Sequence, residues 1–110
     1  MSFVIPVHRL RETKTLIAFY HPKPAYPFHV LLVPKKSVVT LKELDSNDSA
    51  FLSDLFTTVQ NLVEEHQLTA YRLIVNGGTY QDFPQLHFHL ISVGARLSRP
   101  IHGREDPAPT

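Results

Sequence analysis

The strongest periodic signal in the chain lies between Asn47 and about His66. There Phe51, Leu52, Leu55, Phe56, Val59, Leu62 and Val63 recur at intervals of three and four and so share one face of a helix. Ser46 or Asn47 can cap its start, and Asp48 suits the positive end of the helix dipole. Thr69 and the β-prone Tyr71 beyond it set the end near His66 or Gln67, with Glu64 and Glu65 placed slightly unfavourably at the negative end. One amphipathic helix cannot bury its apolar face alone, so the rest of the chain must supply the surface it packs on.

Short β-prone runs supply it. Val4 to His8 and Leu16 to Tyr20 are separated by the polar stretch Arg11-Glu12-Thr13-Lys14, which reads as a hairpin connection. His21 to Pro27 carries three prolines in seven residues, so no helix or central strand runs through it and it is a stiff loop. Phe28 to Val33 is apolar except for His29, as in a strand buried on both faces, and Pro34-Lys35-Lys36 ends it. Tyr71 to Val75 is a fourth strand, Asn76-Gly77-Gly78 a turn whose glycines can take positive φ, and Leu86 to Val93 a fifth strand. The predicted fold is α+β: an antiparallel sheet of about five strands against one long helix, with a shorter helical turn near Leu41 to Leu44. Residues 1–94 form the domain, and residues 95–110, rich in Arg, Pro and small polar groups, form a C-terminal arm.

Composition removes several function classes. With 110 residues and 43% apolar content the chain closes a single core. Eleven Lys and Arg against ten Asp and Glu leave a net charge of +1, which offers no footprint for a nucleic-acid polymer or an anionic membrane. The absence of cysteine excludes disulfides, Cys-based zinc sites and thiol catalysis. No apolar run reaches the roughly 20 residues needed to span a bilayer, and Met1-Ser2-Phe3 does not begin a signal peptide, so a soluble, cytoplasmic protein is expected. What remains distinctive is seven histidines, the side chain that acts near neutral pH as base, nucleophile or ligand.

Their placement is informative in Gln85-Leu86-His87-Phe88-His89-Leu90-Ile91. The alternation puts Gln85, His87 and His89 on one face and Leu86, Phe88 and Leu90 on the other. Side chains two apart on a strand lie roughly 6.5–7 Å apart, close enough for two imidazoles to act on one phosphate or one metal ion. A polar strand face that merely contains two histidines fits the same pattern. A zinc site needs another ligand, which His29 or His21 could supply. A nucleophile needs one neutral ring held in one tautomer, with donors nearby for developing charge.

The segment resembles the histidine triad superfamily of nucleotide hydrolases and transferases, whose signature alternates three histidines with apolar residues. The likeness continues through Ile5-Pro6, Glu12, Ala18-Phe19, Pro24, Pro27, His29, Leu31, Val33, Pro34-Lys35-Lys36, Tyr71-Arg72, Val75-Asn76 and Gly78, in the order of the Hint-like branch and over roughly residues 5–93. The resemblance implies that His87 is the nucleophile. It would attack the α-phosphorus of a nucleoside 5′-monophosphate linked to an amine or a phosphate and form a nucleotidyl-imidazole intermediate. It also implies that His89 steadies phosphate oxygen, that Asn76 and Gln81 surround the phosphate and leaving group, and that His29 supports the catalytic strand. The expected partner is a purine nucleotide or nucleoside phosphoramidate, and the expected assembly is a homodimer. No cofactor is required, although a divalent metal is compatible with the histidines.

The chain departs from the family pattern at four positions. Gln85 replaces the first histidine of the catalytic row and cannot titrate near neutrality. His21 stands where an Asp or Asn usually holds the ribose, and Ser37 where many relatives have a histidine. Asp82 stands where a small hydroxyl residue faces the phosphate, which an ionised carboxylate would repel unless it turns away or pairs with a cation. These changes keep open a nucleotide-binding or sensing module without turnover, beside the His-based metal hydrolase. Phe19 and Phe28 could flank the purine or belong to the core. Lys35 and Lys36 are read as a solvated turn, and Arg96, Arg99 and Arg104 as part of the arm. His8, His66 and His102 have no assigned partner.

Overall fold

The computed structural model describes residues 9–93. Five strands form one antiparallel sheet: β1 (Arg9–Glu12), β2 (Leu16–Tyr20), β3 (Phe28–Pro34), β4 (Arg72–Val75) and β5 (Phe88–Ser92), in the spatial order β1-β2-β3-β5-β4. Between β3 and β4 come a 3-10 turn at Leu41–Glu43 and the helix α1 (Ser49–Glu65); a second 3-10 turn, Gly78–Tyr80, precedes β5. The α+β class, the single long helix and the short turn near Leu41 agree with the expectation. No helix among the described residues is long and apolar enough to cross a membrane.

The helix begins and ends through identifiable contacts. Asp48, rather than Ser46 or Asn47, is the N-cap, its carboxylate accepting from the Phe51 N–H at 3.2 Å. At the other end Gln67 takes φ +52°, the Leu68 N–H reaches the Val63 carbonyl and the Gln67 N–H reaches Glu64. This Schellman arrangement satisfies carbonyls the helix leaves open, with Gln in the left-handed position that glycine usually fills. Phe51, Leu55, Val59 and Leu62 are buried against Leu16, Ala18, Val30, Leu32, Phe88 and Leu90 of the sheet. Phe56 was expected on the same face but is 54% exposed. Five positions after Phe51 it has rotated past the buried stripe.

Two strand boundaries also differ. Arg11 and Glu12 belong to β1 instead of a connection, and the tight turn is Thr13–Thr15, tied to α1 where both threonine hydroxyls donate to Asp54. Polar β1 forms because it pairs with β2 at the sheet edge, where Glu12 meets Arg9 and Lys35, and Arg11 meets Glu65. The expected strand at Val4 to His8, His102 and the arm with its three arginines lie outside the described residues. At the other boundary, β5 starts at Phe88 instead of Leu86. The Leu86 N–H leaves the ladder to bond the Val38 carbonyl at 2.7 Å, so His87 sits where the chain enters the strand.

Candidate active site

Sheet register brings four imidazoles together on the face opposite the helix. Leu31 of β3 stands opposite His89 of β5 and His29 opposite Ile91, so His29 and His89 are diagonal neighbours on one side of the pleat. Beyond the end of β2 the His21 N–H continues the pairing to the His29 carbonyl at 2.8 Å, which lays His21 alongside. Ring centroids are 4.4 Å apart for His21 and His29, 5.2 Å for His29 and His89, and 5.1 Å for His87 and His89. The alternation read from the sequence holds: Leu86, Phe88 and Leu90 are buried in the core while His87 and His89 are half-buried on the other side.

Backbone groups with a fixed hydrogen-bonding sense determine which nitrogens carry protons. The Ala25 N–H donates to His29 Nδ1 at 3.1 Å, so neutral His29 is protonated on Nε2. That nitrogen lies 2.9 Å from His89 Nδ1 and donates to it, which leaves His89 with its proton on Nε2. His87 Nδ1 lies 2.7 Å from the Gln85 carbonyl, which can only accept, so the neutral ring keeps its lone pair on Nε2. The Lys23 N–H fixes His21 in the same way, donating to Nδ1 at 2.9 Å.

Burial disfavours the charged forms of His29, His89 and His21. Desolvation, aided by the charge of His21, pushes His29 down to about 4. Desolvation likewise pushes His89 down to about 4, with His87, His29 and His21 adding to the effect and Asp82 opposing it. His21 is also lowered, chiefly by desolvation, which Asp82 opposes and to which His87 adds least. In its neutral form His87 has an accepting Nε2 beside the donating Nε2 of His89, and neither Nε2 has a hydrogen-bond partner among the described residues.

The other expected site residues fall into distinct places. The Gln85 amide donates to the Pro34 and Lys36 carbonyls at 3.5 and 3.3 Å, so its side chain staples the segment before β5 while its backbone carbonyl orients His87. Gln81 donates to the Val39 and Phe83 carbonyls at 2.6 and 2.9 Å and so shapes its own loop. Asn76 is half-buried after β4, with no side-chain hydrogen bond among the described residues. Asp82 is exposed, within electrostatic reach of His21 and His89. Phe19 lies in the row Phe19, Leu31, His89 but is only 5% exposed, so it forms floor beneath the site. Phe28 belongs to the helix-side core.

Among the described residues no group of three or more His, Asp or Glu is placed to hold a metal ion, and the mutual bond of His29 and His89 shows why: facing nitrogens are already paired. Lys35 and Lys36 pair with Glu12 and Asp48, away from the histidines. A separate cleft of about 410 Å³ near Lys36, Val38 and Phe51 includes none of the four rings. Sequence reasoning missed the Ala25 N–H, which sets the His29 tautomer, and Tyr26, whose ring meets His29 edge-on at 5.6 Å. The only available signal was the proline-flanked loop that holds both. His66, left unassigned, packs on Phe28 with centroids 5.0 Å apart.

Comparison with known proteins adds an independent finding. The HIT domain family matches residues 2–95. A HIT-like protein of Synechococcus elongatus is 30% identical over 93 residues, covering 84% of this chain and 82% of its own. A HIT family hydrolase from Legionella pneumophila superposes with a TM-score of 0.74 at 29% identity, over 80% of this chain and 82% of that one. A histidine triad protein from Clostridium difficile gives 0.75 at 25% identity, over 92% and 87%.

Proposed function

This chain belongs to the HIT domain family, and from that premise we propose that it hydrolyses nucleoside 5′-monophosphates linked to an amine or to a second phosphate, with His87 as the nucleophile. Similarity to a HIT family hydrolase supports the reaction class. The observation that carries the reading is the tautomer pattern, a lone pair on His87 Nε2 beside a proton on His89 Nε2.

His87 Nε2 forms a bond to the α-phosphorus as the bond to the leaving group breaks, and the leaving group takes a proton from solvent. The nucleotidylated ring becomes positive, and its Nδ1–H remains bonded to the Gln85 carbonyl. His89 donates from Nε2 to a phosphate oxygen, where negative charge grows in the transition state. Water then attacks phosphorus, the bond to His87 breaks, the water's proton passes to solvent and the nucleoside monophosphate departs. His29 acts as a positioning residue that holds His89 in its donating tautomer. By the family resemblance, Asn76 and His21 are assigned to binding the nucleotide. Gln85 contributes through its carbonyl, so the missing first histidine does not remove the nucleophile's orientation. The scheme requires no cofactor, because ring nitrogens supply both nucleophile and donor.

The proposal takes the protein to act as a cytoplasmic homodimer. Support for association comes from β4, an edge strand, with Tyr71 just before it and Val93 just after the paired β5, which are 51% and 49% exposed. The test of function is release of the monophosphate from adenosine 5′-phosphoramidate. Turnover by the protein that His87→Ala abolishes is expected; equal rates in both would eliminate the assigned role.

A further inference from the structure

At position 21 the family pattern has an Asp or Asn, and a carboxylate there can only accept; His21 offers a donor instead. Its backbone N–H is held by the His29 carbonyl at 2.8 Å, and its Nδ1 accepts from the Lys23 N–H at 2.9 Å. The neutral ring therefore keeps its proton on Nε2, the same tautomer that His29 imposes on His89. Burial, the largest influence on it, disfavours a second proton. The ring packs on His29 with centroids 4.4 Å apart and lies nearly parallel to His89, with 22° between planes and 6.2 Å between centroids. Its Nε2–H has no hydrogen-bond partner among the described residues. The histidine face thus holds two like donors, His21 and His89, and one acceptor, His87.

We propose that His21 binds the α-phosphate of the substrate, its Nε2–H donating to one non-bridging oxygen while His89 donates to the other. Two N–H···O bonds of about 2.9 Å, with the width of the phosphate between them, bridge rings whose centroids are 6.2 Å apart. Neither ring has to change tautomer, because Lys23 and His29 already keep both protons on Nε2. The charge that grows on the two oxygens during attack is then shared between two donors. A ribose hydroxyl is a poorer partner for this N–H, since a bond to a charged oxygen is about twice as strong as one between neutral groups.

The inference rests on phosphate standing at His87 and His89, as in the reading above, and not on the covalent step. Adenosine 5′-monophosphate and adenosine, each titrated into the protein by calorimetry, separate phosphate contacts from nucleoside contacts. His21→Phe keeps an aromatic ring against His29, and exposed Lys23 can leave its N–H to water. This variant is expected to bind the monophosphate about tenfold more weakly, the size of one hydrogen bond to a charged group, and adenosine as before. His21→Gln, whose amide can donate, should recover part of the loss. In ring-nitrogen NMR of the unmodified protein, the His21 Nε2 signal should move on saturation with the monophosphate and stay in place with adenosine. Equal weakening of both ligands would make His21 a nucleoside contact and overturn the proposal, as would weakening of neither. A monophosphate that fails to bind the unmodified protein would overturn both readings. Failure of the unmodified protein to turn over adenosine 5′-phosphoramidate, with the tenfold loss intact, would overturn the covalent step and sustain the role of His21.

Discussion

Toward the helix, β3 presents Val30 and Leu32, both fully buried, packed with Phe51, Leu55, Val59 and Leu62 of α1. Toward the opposite side the same strand presents His29, 6% exposed, and half-buried Leu31, next to His89 and His87. Both faces exclude much of their water, but one does so with interchangeable hydrocarbon and the other with rings whose nitrogens are individually committed. The pleat therefore separates stability from chemistry: a step of one residue along a strand changes which of the two a substitution affects.

That separation breaks most visibly, if it breaks, in the core. Leu32→Ala is expected to cost about 2–5 kcal/mol in urea unfolding, while turnover per folded molecule changes little. His29→Phe should do the reverse. It keeps an apolar ring in place, and exposed Ala25 can leave its N–H to water, but His89 loses the donor that fixes its tautomer. A fall in kcat of about 10- to 100-fold, or about 1.4–2.7 kcal/mol, with a nearly unchanged melting temperature is expected.

Acid should reveal the histidine face as the weaker side. His29 and His89 titrate near 4 in the folded protein against an ordinary 6.5, so between those values the unfolded chain binds more protons. Their contribution to stability is complete above about pH 6.5 and is lost as pH falls toward 4. The urea midpoint should decline through that window, and decline less in His29→Phe. The smallest effect is expected at Gln85→Ala, which removes two long amide bonds but keeps the carbonyl: about 0.5–1 kcal/mol of stability and less than tenfold in rate.

How far the sequence could be read follows the same division. Periodicity exposed α1 and the alternation through Leu86, Phe88 and Leu90, because burial on one face leaves a local pattern. It did not expose β1, whose Arg9-Leu10-Arg11-Glu12 has no such pattern and is a strand only through pairing and ion pairs with distant residues. The choice of Asp48 over two neighbours as N-cap turned on one Phe51 N–H. In the site, His87 and His89 were legible from spacing and family likeness, but the bond from His29 to His89 joins residues 60 apart and depends on strand register. Gln85 looked like a substituted catalytic group because its side chain is what the sequence displays, whereas the atom that orients His87 belongs to the backbone.

The central claim is covalent attack by one ring nitrogen. Rapid acid quench of the protein during turnover of adenosine 5′-phosphoramidate, followed by intact-mass analysis and peptide mapping, reads it directly. The account predicts a transient adduct of one adenylyl group on the His87 peptide that is absent in His87→Ala. Sustained turnover with the label on another residue, or undiminished in His87→Ala, would contradict it.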